Sequence, residues 1–475
     1  MSVPLQPNLV AGRWVPTGKP DTIHDPYRGT PLIRVPLAGR AQMKAAIAAA
    51  SMAAKDLARM PRFRRAEILR ATSDGVARAE EDLACAMTRE TGKPIQYARA
   101  EVRRTALTFR LAAEEAVRFG GEWLAADLEP RVADVTASVE RFPIGPVGAI
   151  SPFNFPLNLA AHKLAPALAV GNPVVLKPPV QCPAITIRLG GVAMAAGWPH
   201  GALSILHCPI PVAAALVEDP RLAMLSFTGS AAVGWALRER AGKKKVVLEL
   251  GGNAAVLVHD DADPDEVAPK IALGAFAAAG QVCISVQRIY AHRRIHDRLV
   301  AALVAATQKL AVGDPMREDT VVGPLVDRAA ADRVMTWIDE ARSAGASVLC
   351  GAKRRGNVVW PTLLAGAGPR LKVSCEEVFG PVATVAPYRT LDEGIALANR
   401  TRYGLQAAVF TKRLDVARRA FEGLAVGGVV VGDTPMLRVD SHPYGGVKDS
   451  GFGREGVRSA MEEMTEPRLL LTRVS

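Results

Sequence analysis

From residue 41 to 119 apolar positions recur at spacings of three and four, in a stretch rich in Ala, Leu, Arg and Glu. That is the repeat of helices with one buried face. Ile68, Leu69, Thr72 and Val76 carry the stripe, and Gly92 with Pro94 interrupts it. From about Pro143 the texture changes. Short β-branched or apolar runs, Val147–Ser151, Pro173–Lys177, Leu203–His207, Leu222–Phe227 and Val246–Leu250, now alternate with helix-like segments. Such alternation predicts βαβ units in a parallel sheet covered by helices on both faces. A second alternation starts near Asn253 and continues to about Val431. Its apolar runs are Ala255–Val258, Arg288–Ala291, Val382–Ala386 and Ala407–Thr411, with helices around 263–278, 294–310, 326–345 and 413–421. The fold class is α/β, in two domains with parallel-rich sheets. Residues 123–143 fit neither unit and read as two strands, the second with Val135, Ala137 and Val139 alternating. A hairpin buries little alone. Pairing with the apolar run Leu469–Leu471 of another chain would cover its edge, so the segment predicts an oligomerisation arm.

Composition narrows the function classes. The chain has 475 residues, 49% apolar and 22% charged, which excludes disorder, collagen and coiled-coil arrays. Its net charge is +12, but the basic residues are dispersed, Lys243-Lys244-Lys245 being the densest run. With only 5% aromatics, neither a nucleic-acid groove nor a base-stacking surface is expected. The charge instead suits anions such as phosphate-bearing cofactors. Cysteines 85, 182, 208, 283, 350 and 375 form no CxxC pair, so a zinc ribbon or thioredoxin-type site is not expected. Met1–Val10 lacks the pattern of a signal peptide, and the apolar stretch Phe155–Leu176 is broken by Asn158, His162, Lys163 and Pro166. No membrane association and a reducing cytoplasm are therefore expected.

Several segments carry candidate chemistry. Leu222 to Gly234 reads strand, tight turn, helix; Gly229 permits close backbone approach and Ser230 can cap the helix. A helix start of this kind receives a pyrophosphate, yet GxGxxG is absent and a plain βα turn reads equally well. Glu249 lies 20 residues beyond Gly229, where a dinucleotide fold places its ribose acid. It also ends a strand before Gly251-Gly252, which makes it a general-base candidate or a surface acid. Cys283, in Gly-Gln-Val-Cys-Ile-Ser, has polar neighbours unlike a core strand. It reads as a buried hydrophobe or as a loop nucleophile whose pKa must be lowered. Asn154, between Phe153 and Phe155, can donate to an oxyanion or satisfy a turn. Lys177 ends a strand before Pro178 and can meet ribose or phosphate.

Together these segments resemble the NAD(P)-dependent aldehyde dehydrogenase superfamily. The order Pro-Phe-Asn-Phe-Pro, Leu-Lys-Pro, Phe-Thr-Gly-Ser, Glu-Leu-Gly-Gly and Gly-Gln-Val-Cys is present, followed by Glu376 to Pro381 and Pro443 to Gly451. The resemblance runs from about Val10 to Leu471. It implies Cys283 as nucleophile, Glu249 as the base that activates the deacylating water, and Asn154 as oxyanion donor with the Cys283 N–H. Glu249 thereby leaves the ribose role. It implies Lys177 on the adenosine ribose, Gly229 and Ser230 at the pyrophosphate, Glu377 on the nicotinamide ribose and Phe379 against the nicotinamide, with Ser151, Phe153, Thr228 and Leu250 beside the cofactor. It further implies an NAD(P)-binding domain (1–122 and 144–250), a catalytic domain (251–453), an arm (123–143 and 464–475), and a homodimer or homotetramer. Val180 stands where NAD-preferring members carry an acid, which leaves both NAD and NADP as cofactors. Cys283-Ile-Ser-Val-Gln-Arg and Gly-Val-Lys-Asp-Ser-Gly look like the branch with lactaldehyde, phosphonoacetaldehyde and non-phosphorylating glyceraldehyde-phosphate dehydrogenases. A small hydroxylated or anionic aldehyde follows as substrate, with Arg103 or Arg104 to hold its anionic group and Phe155 beside it. The alternatives are a CoA-acylating dehydrogenase, a non-catalytic binding relative, and a hydrolase using Cys283 without redox.

Overall fold

The computed structural model describes residues 3–473; residues 1 and 2, in the stretch expected to carry no signal peptide, and 474 and 475 of the expected arm lie outside the described residues. The helical stretch resolves into Arg40–Arg59, Arg62–Arg78, Glu80–Thr91 and Ile95–Arg118. Gly92, at φ 75°, ends the third in the left-handed region that a side chain resists. The fourth buries Ala98, Glu101, Val102, Thr105, Thr108, Phe109 and Ala112, one stripe of a 3.6-residue repeat.

The first alternation forms an eight-stranded sheet. Its five central strands, in the order Leu203–Ile205, Val174–Lys177, Val147–Ile150, Met224–Thr228 and Lys245–Glu249, are all parallel. Each lies within two residues of the run that predicts it, because strands covered on both faces read as continuous apolar runs. The helix Asn158–Val170 is buried along its whole length, polar His162 and Lys163 included. Among the described residues no helix is long and apolar enough to cross a membrane.

The second alternation forms a seven-stranded sheet, in the order Ser347–Cys350, Thr362–Ala365, Val382–Tyr388, Val286–His292, Ala254–Val258, Gln406–Phe410 and Gly428–Val431. Only the first pair is antiparallel. The two sheets are laced together. Gly451–Phe452, within the stretch expected to close the second domain, adds antiparallel to Lys245–Glu249 at the edge of the first sheet. At the other edge sit Asn8–Val10 and Arg13–Val15, three-residue strands too short to show a period.

The arm corrects one expectation. Residues 123–143 do form two strands, Glu122–Leu124 and Val135–Pro143. The strand that covers them, Thr465–Arg473, comes from the same chain, with Leu469 opposite Val139 and Leu471 opposite Ala137. Helix Val457–Glu463 decides this. Val457 and Met461 anchor it in the core, and the Met464 carbonyl accepts from the Ile144 N–H (3.2 Å) and Asn172 Nδ2 (2.8 Å). The chain therefore leaves that helix already alongside Pro143.

Candidate active site

The carboxyl ends of the central strands bring most of the expected residues together. Lys177 is the register partner of Ile150, and Glu249 that of Thr228. The Gly229 N–H donates to the Glu249 carbonyl at 3.0 Å, so the βα turn and the candidate base share one strand end. A side chain at Gly229 would strike the Phe227 ring, and one at Gly234 the Leu250 side chain. The helix Ala231–Arg240 is thereby drawn close to the sheet. Ser230 occupies its N-cap position in extended conformation, but its hydroxyl makes no capping bond, contrary to the capping role expected of it.

Glu249 is 3% exposed, and neither carboxylate oxygen has a hydrogen-bond partner among the described residues. Its exit is fixed by Ser450. Leu250 N–H donates to the Ser450 carbonyl (2.9 Å), and Ser450 Oγ donates to the Gly251 carbonyl (2.7 Å). Burial, and then the charge of Glu455, push the Glu249 carboxyl well above the usual carboxylate range. Glu455 is buried too, but His162, Arg438 and Lys163 outweigh that and hold it at about 2. Arg438 Nη2 lies 2.7 Å from Glu455, and Lys163 Nζ reaches both Glu455 (3.6 Å) and Thr228 Oγ1 (2.7 Å). The proton of this buried pair sits on Glu249 and the negative charge on Glu455.

Cys283 reaches the same crevice from the second sheet. Helix Pro264–Phe276 stops short of the predicted 278, because Ala278, Ala279 and Gly280 all take left-handed φ values of 51°, 57° and 65°. Each left-handed alanine costs about 1–2 kcal/mol. Gln281 holds the turn, accepting from the Val326 N–H at 2.9 Å. This sharp reversal sets Cys283 ahead of Val286–His292, in an apolar cluster with Phe155, Val282, Ile284, Leu405, Met436 and Tyr444. Gly252 passes so close that a side chain there would strike the Cys283 carbonyl. The Cys283 Sγ lies 3.3 Å from the Tyr444 hydroxyl. Burial pushes the thiol up to about 12, with the Tyr444 hydrogen bond acting against it. Asn154, 6% exposed, borders a small cavity with Thr91, Lys93, Phe153, Ala278 and Gln281.

The residues expected at a dinucleotide also converge. Phe153 and Phe379 meet edge to face with ring centroids 5.7 Å apart. Glu377 accepts from the Gly252 N–H at 3.0 Å, and a side chain at Gly251 would collide with its carboxylate. Burial raises Glu377 to about 7. Lys177 is 8% exposed, and the buried Ser151 Oγ has no hydrogen-bond partner among the described residues. A lysine, a carboxylate, an orphaned hydroxyl and a helix start opened by glycine fit a ribose-and-pyrophosphate ligand. Leu250 is buried core, 2% exposed.

The two arginines part company. Arg103 points outward, its side chain 68% exposed and paired with Glu80. Arg104 turns inward, bidentate on Asp440 (2.9 and 2.7 Å) and 5.7 Å from the Phe155 ring. Sequence reasoning overlooked Tyr444, Arg438, Lys163, Glu455 and Lys93. Arg438 lies 3.9 Å over the Tyr444 ring and Lys93 Nζ 3.8 Å over that of Phe155. Only Tyr444 carried a signal, as part of the Pro443–Gly451 motif.

Residues 14–470 match the model of the aldehyde dehydrogenase family. The chain is 41% identical over 463 residues to the 3-sulfolactaldehyde dehydrogenase of Priestia aryabhattai, covering 97% of each. It superposes on aldehyde dehydrogenase 21 of Physcomitrella patens, solved with the reaction product succinate, at a TM-score of 0.98 and 41% identity, covering 100% of this chain and 99% of the other. The NADP-dependent glyceraldehyde-3-phosphate dehydrogenase of Bacillus halodurans C-125, solved with NADP, gives a TM-score of 0.96 at 36% identity, covering 100% of both chains. A matched family model over nearly the whole length, with the candidate nucleophile, base and cofactor segments in one crevice, leaves a single conclusion: the chain belongs to the aldehyde dehydrogenase family and is an NAD(P)-dependent oxidoreductase.

Proposed function

We propose that this enzyme oxidises a small aldehyde bearing a sulfonate, phosphate or carboxylate to the corresponding carboxylic acid, with Cys283 as nucleophile, Glu249 as base and Asn154 as oxyanion donor. The observation that carries it is the shared crevice: the Cys283 thiol, bonded to Tyr444, and the unpaired Glu249 carboxylate enter it from different sheets.

Chemically, the Cys283 sulfur adds to the aldehyde carbon, and the carbonyl π pair moves to oxygen. Asn154 Nδ2 and the Cys283 N–H hold that oxyanion, each such donor being worth about 3–4 kcal/mol. The oxygen pair then re-forms the carbonyl as hydride leaves carbon, which makes a thioester. Oxidised nicotinamide, when bound, supplies the hydride acceptor. Glu249, which gives up its proton to solvent once Cys283 is acylated, next takes a proton from water, whose oxygen adds to the thioester carbon. The carbon–sulfur bond breaks, and the carboxylic acid and the Cys283 thiolate separate.

Three cations support an anionic substrate: Lys93 and Arg104 over Phe155, and Arg438 over Tyr444, the two rings that pack with Cys283. The relatives named above act on or hold sulfonate, carboxylate and phosphate compounds. The test is reduced-nicotinamide formation, with NAD+ and NADP+ in parallel, from three-carbon aldehydes with and without an anionic group. We expect turnover without CoA and a higher kcat/KM for the anionic members. Equal kcat/KM for neutral and anionic aldehydes of one size would remove the anion, and a strict need for CoA would replace water as the acyl acceptor.

The arm supports a homodimer. The arm leaves Trp123 74%, Leu128 (in its connecting loop) 84% and Leu469, Leu470 and Leu471 58%, 57% and 59% exposed in one chain, an apolar surface of the kind a partner covers. Light scattering at the mass of one chain would refute this. All six cysteines are free, and a nucleophilic Cys283 works in a reducing compartment such as the cytoplasm.

A further inference from the structure

Asp440 stands four residues before Tyr444, on the stretch of chain that brings the Tyr444 hydroxyl to Cys283, and is buried. Its donors come from two helices far away in sequence. Helix Ile95–Arg118 supplies Arg104, with Nε on Oδ2 (2.9 Å) and Nη2 on Oδ1 (2.7 Å). Helix Asn158–Val170 adds Asn158 Nδ2 (3.3 Å) and His162 Nε2 (3.0 Å), both on Oδ1. A carboxylate only accepts, so His162 Nε2 carries its proton. Burial would raise the Asp440 carboxyl, but His162 and Arg104 outweigh it and hold it well below the usual carboxylate range. Near neutral pH the group is therefore always an anion.

The clamp leaves Arg104 half used. A guanidinium has five donors in a rigid fork, and Asp440 takes the Nε–Nη2 edge. The Nη1–Nη2 edge remains, and Nη1 has no partner among the described residues. The Arg104 side chain is 31% exposed against 3% for that of Asp440. A pair that served stability alone would bury both partners. The guanidinium carbon lies 5.7 Å from the Phe155 ring, which packs with Cys283. The other two cations of the crevice are held differently. Lys93 pairs with Glu101, and Arg438 with Glu455 at 2.7 Å, its Nε being 3.7 Å from Asp440. Arg104 is thus the cation that an internal carboxylate grips on one edge and leaves open on the other.

We propose that Asp440 is a positioning residue for substrate recognition: by clamping one edge of Arg104, it sets the other edge to receive the anionic group of the aldehyde. The role rests on the anionic-aldehyde reading above. Asp440 touches neither the aldehyde nor Cys283 and acts through Arg104. An unclamped arginine would have to give up its side-chain freedom each time a substrate binds, so the clamp should show in binding and not in the chemical step.

The test compares full-length wild type and Asp440→Asn with saturating dinucleotide. Sulfoacetaldehyde, succinic semialdehyde and glyceraldehyde 3-phosphate are the anionic probes; pentanal and glyceraldehyde are the neutral ones. For the anionic probe that the wild type oxidises best, we expect KM to rise about tenfold, the loss of one charge-assisted hydrogen bond. The kcat should stay within about twofold. KM for the neutral probes should not move, whereas a merely structural role would alter both classes. Arg104→Lys, which cannot form the fork, should show the same split, and the double variant should lose no more than Arg104→Lys alone. Asp440→Glu keeps the charge but shifts the clamp by one methylene, and should give the same split if Asp440→Asn does not fold. An unchanged or lowered KM for the anionic probe, or additive losses in the double variant, would overturn the role and leave the anionic substrate standing. Wild-type enzyme that prefers no anionic probe over the neutral ones would remove both.

Discussion

Tyr444→Phe isolates a single hydrogen bond at the proposed nucleophile. The ring stays, so the Arg438 stack at 3.9 Å and the packing against Val282 and Ile284 are kept, and only the hydroxyl 3.3 Å from Cys283 Sγ is lost. Burial, and then the neighbouring Cys283, push the Tyr444 hydroxyl well above its ordinary value. Its proton therefore stays on oxygen and is available to the thiolate. A hydrogen bond to a charged group contributes about 1.5–3 kcal/mol, against about 1 kcal/mol for a neutral one. The difference between the thiolate and thiol states is then about 1–2 kcal/mol. At 1.36 kcal/mol per unit, the Cys283 pKa should rise by about 1 unit.

The assay is the rate of inactivation by iodoacetamide against pH, with cofactor absent, read alongside the burst of reduced nicotinamide. We expect the inflection to move up by about one pH unit and the burst rate at neutral pH to fall about tenfold. The KM for the dinucleotide should stay where it was. Superimposable inactivation profiles for Tyr444→Phe and the wild type would show that the hydroxyl does not act on the sulfur, and would refute the reasoning.

Glu249→Gln should still acylate but turn over slowly, with a burst followed by a steady state reduced about 100-fold or more. Because the folded Glu249 pKa is raised, its stability contribution is full below the ordinary carboxylate range and is lost as pH rises through the raised value. The variant escapes that loss, so its Tm should gain on the wild type as pH rises from 5 to about 9; parallel Tm curves would contradict the burial assignment. Glu101→Ala should cost about 3–5 kcal/mol in urea unfolding, since it strips Lys93, the Leu157 N–H (2.9 Å) and the Asn158 N–H (3.1 Å) of their buried acceptor. Lys177→Met should raise the KM for NADP+ by about tenfold and that for NAD+ by less, because Val180 beside it offers no carboxylate to the ribose; equal effects would separate Lys177 from the 2′-phosphate.

The strands were legible because a strand buried on both faces must be apolar throughout. Val147–Ile150 and Ala254–Val258 follow from that alone. The arm shows the limit of pattern. Leu469–Leu471 announces that an edge needs covering, but only the docking of Val457 and Met461 decides that the same chain covers it. The nucleophile loop was half legible. Polar Gln281 and Ser285 pointed to a loop, but consecutive left-handed alanines at 278 and 279 have no sequence signal, and the helix was read through to 278. Arg103 and Arg104 were separable in principle. Helical phase puts Arg104 three residues from buried Glu101 and four from buried Thr108. Arg103 has Arg99, Ala100, Ala106 and Leu107 at those spacings, none of them buried. The Lys163–Glu455–Arg438 group was illegible, since Lys163 stands 275 residues before Arg438 and 292 before Glu455, and they meet only once the fold exists.

Burial also sets an order on the proposed chemistry. Cys283 must be an anion to add to the aldehyde, and Glu249 must be one to deprotonate water. Both are pushed up by desolvation, and the Glu249 charge raises the thiol further. In a dry crevice two such anions oppose each other, so their titrations are linked and the second to ionise pays for the first. Acylation removes this conflict, because the thioester sulfur carries no charge. Once it forms, the Cys283 anion is gone; Glu455 still raises Glu249, while Arg438, Lys163 and Arg454 remain beside it as the cations that lower its pKa. The base thus becomes easier to ionise at the stage where water must be activated, and is held protonated at the stage where a second anion would suppress the nucleophile.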